Sequence, residues 1–96
     1  GFERAIAIAP GHAEAANGLA WVMLDEGREI SRALELAAFA ASDSGRADHL
    51  DTHARALAAA GRCKAALSRA REAAALEPES ADRPNALAAE CGANAR

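Results

Sequence analysis

Residues 47–80, ADHLDTHARALAAAGRCKAALSRAREAAALEPES, contain two helix-forming stretches that are separated by a glycine and closed by a proline. On both sides of Gly61, small and apolar residues recur every three or four positions, which is the spacing of one helix face. Gly61 can adopt the left-handed conformation that ends a helix, and Pro78 cannot continue one. The stretch therefore predicts two helices joined by a short link, which must run antiparallel.

The same pattern recurs along the chain at a fixed offset of 34 in the numbering. Pro10 and Pro78 are separated by twice that offset. Four further pairs, each separated by it once, are Ala16 with Leu50, Ala20 with Ala54, Met23 with Leu57, and Gly27 with Gly61. Agreement at one offset over this many positions indicates an internal structural repeat.

The glycines and prolines divide the chain into five helices preceded by a short stub. We expect helices over about 12–26, 30–43, 47–60 and 63–77, a fifth from about Ala81 with Pro84 in its first turn, and a stub over 2–9. The first full unit carries one extra residue in its turn, because Ala33 and Ala66 are one position closer together than the repeat period. These helices predict one domain, which consists of the units 1–11, 12–46, 47–80 and 81–96.

The composition favours an all-α fold. Alanine, the best helix former, accounts for 30 of the 96 residues, whereas valine and threonine occur once each and tyrosine is absent. Arginine outnumbers lysine ten to one, and together with the alanine excess this resembles the coding bias of a GC-rich bacterium. The chain starts on a helical pattern without a methionine, so we expect it to be part of a larger chain or complex.

Charge and hydropathy exclude two classes of partner. The formal net charge is −3 and the pI is about 5.6, which gives no general attraction to nucleic-acid phosphates. No stretch approaches the roughly 18 apolar residues of a membrane span. We therefore expect neither a nucleic-acid partner nor a membrane span.

The repeat resembles the tetratricopeptide repeat family, in its bacterial form. The matching residues of the 47–80 unit are Ala54, Leu57, Gly61, Ala66, Ala70, Ala73 and Pro78. The resemblance implies a solenoid of antiparallel helix hairpins stacked as a right-handed superhelix. His53 departs from the pattern of the other units, where Leu19 and Leu87 stand at this position.

A solenoid presents an extended concave surface and has no built-in reactive centre. The sequence contains no nucleophile elbow and no phosphate-binding glycine loop. We therefore predict a non-enzymatic protein-interaction module or scaffold, without a cofactor, that holds a protein or peptide segment in its concave groove. The alternative within this class is a permanent architectural subunit of a larger assembly.

The candidate partner-binding residues lie on the first helix of each unit, which would line the concave side of the solenoid. On the first full unit they are beside the helix face that packs within the chain, which is formed by Ala16, Leu19, Ala20 and Met23. The candidates are Asn17, Trp21 and Leu24 on the first full unit, Asp51 and Arg55 on the second, and Asn85 on the last helix. Tryptophan and arginine are frequent energetic anchors at interfaces. In the alternative interpretation, Trp21 packs against Leu24 or Phe2 as part of the core.

A metal or thiol module is the alternative from another class. His49 and His53 are four residues apart, as two metal ligands on one helix face would be, but no third ligand is evident and we predict no metal. Cys63 opens a helix, where the positive helix end can lower a thiol pKa. We expect Cys63 and Cys91 to be small apolar residues at contacts between neighbouring helices.

Two further expectations concern charge and stability. Arg62 and Lys64 stand at a helix start and Glu77 at the end of the same helix, the reverse of what the helix dipole favours. Helix stability therefore does not explain these charges. Only two complete units are present where about three are usually needed, so we also expect marginal stability of this chain on its own.

Overall fold

The computed structural model describes residues 12–78 and 83–94, which form five α-helices. They are α1 (Ala13–Glu26), α2 (Ile30–Ser44), α3 (Ala47–Ala59), α4 (Cys63–Leu76) and α5 (Arg83–Asn94). Helix covers 86% of the described residues, and no strand occurs among them. The all-α prediction is thus confirmed.

The predicted helix bounds agree closely with the observed ones. The first four helices begin and end within one residue of their predicted positions. The fifth helix starts at Arg83, with Pro84 in its first turn, where the missing N–H would have had no partner within the helix. The expected stub over 2–9 and the expected start at Ala81 lie outside the described residues.

Gly27 and Gly61 end α1 and α3 in the same way. Both have positive φ, 68° and 83°, which an L side chain rarely adopts. Gly27 donates its N–H to Leu24 O, and the next residue, Arg28, donates to Met23 O. The same two bonds recur one period later, from Gly61 to Ala58 O and from Arg62 to Leu57 O. The repeated glycine and the residue after it thus satisfy carbonyls in the last turn of both α1 and α3.

The extra residue of the first unit lies directly before α2. Two residues, Arg28 and Glu29, separate Gly27 from α2, whereas Arg62 alone separates Gly61 from α4. Glu29 has φ 50° and is the one non-glycine residue with positive φ in the described part of the chain. The insertion is therefore accommodated by a left-handed backbone at Glu29.

Each helix packs against the next along the chain, and the helices of odd number also contact one another, α1 with α3 and α3 with α5. The largest core cluster joins α1 and α2 and includes Ala56 of α3. Smaller clusters join Ala41, Leu50 and Ala73, and then Ala54, Ala70 and Leu87. Buried side chains therefore connect all five helices in chain order.

Alanine dominates this core. Of the 18 buried apolar residues in the described ranges, 12 are alanine and the others are Met23, Leu36, Leu50, Leu57, Leu87 and Cys91. Small side chains let the helices approach closely but bury little area each. The described residues include no helix that is long and apolar enough to cross a bilayer.

Candidate functional site

Two of the predicted partner-binding residues, Trp21 of α1 and Arg55 of α3, meet across the contact between the odd-numbered helices. The guanidinium carbon of Arg55 lies 3.9 Å from the centroid of the Trp21 ring, well inside cation–π range. Trp21 remains 42% exposed, so it is not a core residue. The pair presents a large aromatic face and a positive charge side by side at the surface.

The other four candidate residues differ in their surroundings. Asn17 lies one turn before Trp21 on α1, and its Oδ1 is buried without a hydrogen-bond partner among the described residues. Leu24 is half-buried and packs against the main core cluster, so part of its side chain serves the fold. Asp51 is half-buried one turn before Arg55, and Asn85 is exposed on α5.

A second polar cluster joins the start of α1 to the start of α3. Arg46 donates from Nη1 to Glu14 Oε1 at 2.9 Å and from Nη2 to Asp48 Oδ2 at 3.1 Å. The Nε2 atom of His49 lies 3.1 Å from the same Glu14 oxygen. Glu14, Arg46, Asp48 and His49 thus form one cluster between two units, which we call the inter-unit cluster.

His49 is 1% exposed, and both ring nitrogens have contacts. A carboxylate only accepts, so Nε2 of His49 donates to Glu14 Oε1. Ser44 Oγ lies 2.5 Å from Nδ1 of His49 and 3.0 Å from Ala40 O. A buried ring held at both nitrogens ties the end of α2 to the start of α1.

The structure gives the two histidines different surroundings and does not unite them as metal ligands. His53 is half-buried, and its Nδ1 has no hydrogen-bond partner among the described residues. Burial lowers the pKa of His53 and the charge of Arg69 lowers it further, whereas the charge of Glu72 raises it by a smaller amount. The residues that could hold a cation are Glu14, Asp48 and His49, whose ligand atoms lie within 4.8 Å of one another. Arg46 already pairs with both of these carboxylates.

Cys63 and Cys91 form a disulfide that joins the first turn of α4 to α5, with 5.8 Å between their Cα atoms. The prediction that both act as small apolar side chains is therefore wrong, because their sulfurs are bonded to each other. They do lie where neighbouring helices meet, as expected. With both sulfurs in one bond, neither is a thiolate ligand. A combined metal site of His49, His53, Cys63 and Cys91 is not formed in this arrangement.

The basic residues at the α1–α2 turn and at the α3–α4 turn differ in whether they form ion pairs. Arg28 forms ion pairs with Glu26 and, at 2.8 Å, with Glu29. The hydrogen bond and charge of Glu26 raise the pKa of Arg28 above its usual value. The side chains of Arg62 and Lys64 are exposed, and no described residue pairs with them.

Sequence reasoning missed the inter-unit cluster and the disulfide. A signal for the cluster is present, because Glu14 and Asp48 are one full repeat period apart and equivalent positions of neighbouring units lie side by side in a repeat. For the disulfide, the placement of Cys63 and Cys91 on adjacent helices allows a bond but does not decide it. Comparison of the chain with protein-family models, with curated proteins and with solved structures gives no match.

Proposed function

We propose that this chain is a protein-interaction module of the tetratricopeptide type, a right-handed solenoid of helix hairpins that holds a partner segment on the face formed by α1, α3 and α5. The contacts of α1 with α3 and of α3 with α5 support this arrangement, because the first helices of successive units would stack in that order. A permanent place in a larger assembly is the alternative use of the same surface.

The observation that carries the proposal is the contact of the exposed Trp21 with the half-buried Arg55. Trp21 is 42% exposed, and the three core clusters form without it. A tryptophan ring in water is a large area available for burial, and its contact with Arg55 holds the ring in place. An anchor whose position is already set loses little freedom when a partner binds.

Asn17 adds a polar requirement beside the ring. Its Oδ1 is shielded from water and has no hydrogen-bond partner among the described residues, which is costly for a buried acceptor. A donor of the partner, such as a backbone N–H of an extended segment lying over Trp21, would satisfy this acceptor if the Asn17 side chain turns outward on binding. The site therefore suits a peptide segment that places an apolar side chain and a main-chain donor together.

The test begins by identifying the partner and then measures its affinity. Proteins that co-purify with the tagged chain are purified, and their binding to the unmodified chain and to Trp21→Ala is measured by calorimetry. We expect Trp21→Ala to weaken binding by more than about 2 kcal/mol, because large aromatic anchors carry much of an interface energy. The unfolding midpoint of the variant should remain nearly unchanged, since Trp21 is outside the core clusters.

Val22→Ala is the matched control, since Val22 is 47% exposed on the same helix but points about 100° away from Trp21. It should leave the affinity within about 0.5 kcal/mol of the parent value. The single tryptophan of the chain also reports directly on the site, and its fluorescence should change when the partner is added. Unfolding of Trp21→Ala without a separate binding defect would contradict the proposal, as would equal losses for both variants.

A further inference from the structure

The disulfide between α4 and α5 has one accessible end and one shielded end. Cys63 is half-buried at the first position of α4, whereas Cys91 is 5% exposed. Cys63 is therefore the more exposed half of the disulfide, and we expect an attacking reagent to approach from its side. Thiol–disulfide exchange depends strongly on which sulfur is accessible to attack.

The start of α4 carries positive charge around Cys63, although Glu35 of α2 lines the same surface pocket as Arg62. The free N–H groups of the α4 N-terminus lie at this residue, and α4 has no acidic residue in its first turn. Arg62 and Lys64 flank Cys63 in the chain, both exposed and unpaired within the described part of the molecule. Two cations at a helix start weaken that helix, so their placement requires another reason.

We propose that Cys63–Cys91 is a thiol–disulfide exchange site whose co-substrate is a dithiol, with Cys63 as the attacked sulfur and as the nucleophile of the reverse reaction. An anionic sulfur at position 63 is the charge that Arg62, Lys64 and the helix N-terminus together stabilise. The same charges attract an incoming thiolate. This inference rests on the disulfide and its surroundings and not on the Trp21–Arg55 pair of the proposed groove, although α5 contributes to both.

The exchange has two steps. A thiolate of the dithiol attacks Cys63 Sγ and forms a mixed disulfide, and the S–S bond to Cys91 breaks, so that Cys91 leaves as a thiolate and takes a proton from water. The second thiolate of the dithiol then attacks the dithiol sulfur of the mixed disulfide and expels Cys63 as a thiolate. Overall the protein disulfide gains two electrons, Cys91 gains one proton and Cys63 remains a thiolate, while the dithiol loses two electrons and two protons and becomes a cyclic disulfide.

The redox state of the disulfide would control whether α5 remains packed against α3 and α4. Besides Cys91, Leu87 is the buried apolar residue in the described part of α5, and it packs on Ala54 of α3 and Ala70 of α4. Helices of 12 residues are marginal in water without tertiary contacts, and among the described side chains of α5 one leucine and one bond attach it to the other helices. Reduction would release α5 and uncover the alanine surface beneath Leu87.

The first experiment follows reduction of the native, oxidised protein by dithiothreitol at pH 7, with free thiols trapped by alkylation and counted by mass spectrometry. The variants are Arg62→Gln/Lys64→Gln and the control Arg71→Gln, an exposed arginine farther along α4. We expect the double variant to be reduced about threefold or more slowly than the parent at low salt, because charges at a helix end act over short range. The control should match the parent, and added salt should reduce the difference.

A second experiment needs no variant and identifies the attacked sulfur. Brief exposure of the oxidised protein to glutathione, followed by acid quenching and peptide mapping, should place the mixed disulfide on Cys63. Glutathione on Cys91 would overturn the assignment. Equal reduction rates for all three proteins, or a disulfide that is reduced only in denaturant, would overturn the exchange site.

Hydrogen exchange tests the release of α5. In the reduced protein we expect amides of residues 83–94 to exchange at least about tenfold faster than in the oxidised protein, with a smaller loss of protection in residues 13–59. Unchanged protection of 83–94 would overturn the control of α5 by the bond. A loss of protection in 13–59 as large as that in 83–94 would overturn local release, because the bond would then hold the whole fold equally.

Discussion

His53 stands half-buried on α3 at the position that leucine occupies in the other units, Leu19 and Leu87. Its Nδ1 is shielded and has no hydrogen-bond partner among the described residues, which costs free energy in the folded state. Burial, together with the charge of Arg69, lowers its pKa below the ordinary value of 6.5. The same residue therefore weakens the fold at neutral pH and makes its stability depend on pH.

His53→Leu should raise the free energy of unfolding at pH 7.5 by about 1 kcal/mol, because an unsatisfied polar atom is replaced by an apolar group that fits the repeat. Below about pH 6.5 the unfolded chain binds a proton at His53 more readily than the folded chain, so the free energy of unfolding decreases as the pH is lowered. The variant should lose stability less steeply between about pH 6.5 and 5. Urea unfolding at several pH values measures both effects.

His53→Gln is the control that separates the two effects. Glutamine does not titrate but keeps a polar group at the position, so it should flatten the pH dependence without raising stability at pH 7.5. If His53→Leu has the same pH dependence as the parent, the account of His53 is wrong, and the slope below pH 6.5 belongs to other groups.

The turn between α1 and α2 shows how an element absorbs an inserted residue. Gly27 closes α1 as Gly61 closes α3, and the additional residue, Glu29, takes the left-handed conformation with φ 50°. Left-handed backbone costs roughly 1–2 kcal/mol for a residue with a Cβ. The ion pairs of Glu29 with Arg28 and Arg32 are exposed and offset little of that cost.

Glu29→Gly should therefore raise the free energy of unfolding by up to about 1 kcal/mol, since glycine relieves the left-handed conformation at some cost in backbone freedom. Glu29→Ala removes the same carboxylate but keeps the Cβ. It should give no gain, which separates the backbone effect from the ion pairs. Chemical unfolding of both variants checks the prediction, and equal changes in the two would contradict it.

At the scale of the molecule, stability depends on an alanine core and one covalent bond. Twelve of the 18 buried apolar residues in the described ranges are alanine, so hydrophobic burial per helix is small. The disulfide spans a sequence separation of 28 residues, and closing a loop of this length removes about 3.5 kcal/mol of unfolded-state entropy. The bond thus contributes a large part of the net stability of a small domain.

We predict a thermal midpoint well below about 90 °C, the level called hyperstable, and a decrease of more than about 10 °C in Cys63→Ala/Cys91→Ala. Differential scanning calorimetry measures both midpoints. The single variant Cys91→Ala serves as the control, because it breaks the same bond and should lose nearly as much as the double variant. A midpoint above about 90 °C, or no decrease in the double variant, would contradict this account.

The sequence alone determined the helices, their bounds and their end signals. These depend on local rules, since the spacing of apolar residues, the left-handed glycines and the prolines act within one or two turns of chain. The repeat period also indicated that Trp21 and Arg55 lie on corresponding faces of α1 and α3. Their use as a binding site stays a prediction.

Only the tertiary structure decided which distant side chains touch. The stacking of Arg55 on Trp21, the contacts of Glu14 with Arg46 and His49, and the bond from Cys63 to Cys91 each join residues 28 to 35 positions apart. Such contacts depend on the offset between helices and on rotamers, both of which are set by the packing of many small side chains at once. No local sequence pattern encodes the combined packing of these side chains. The sequence therefore indicated which residues share a helix face and which positions are equivalent in the repeat, and the tertiary structure decided which side chains are in contact.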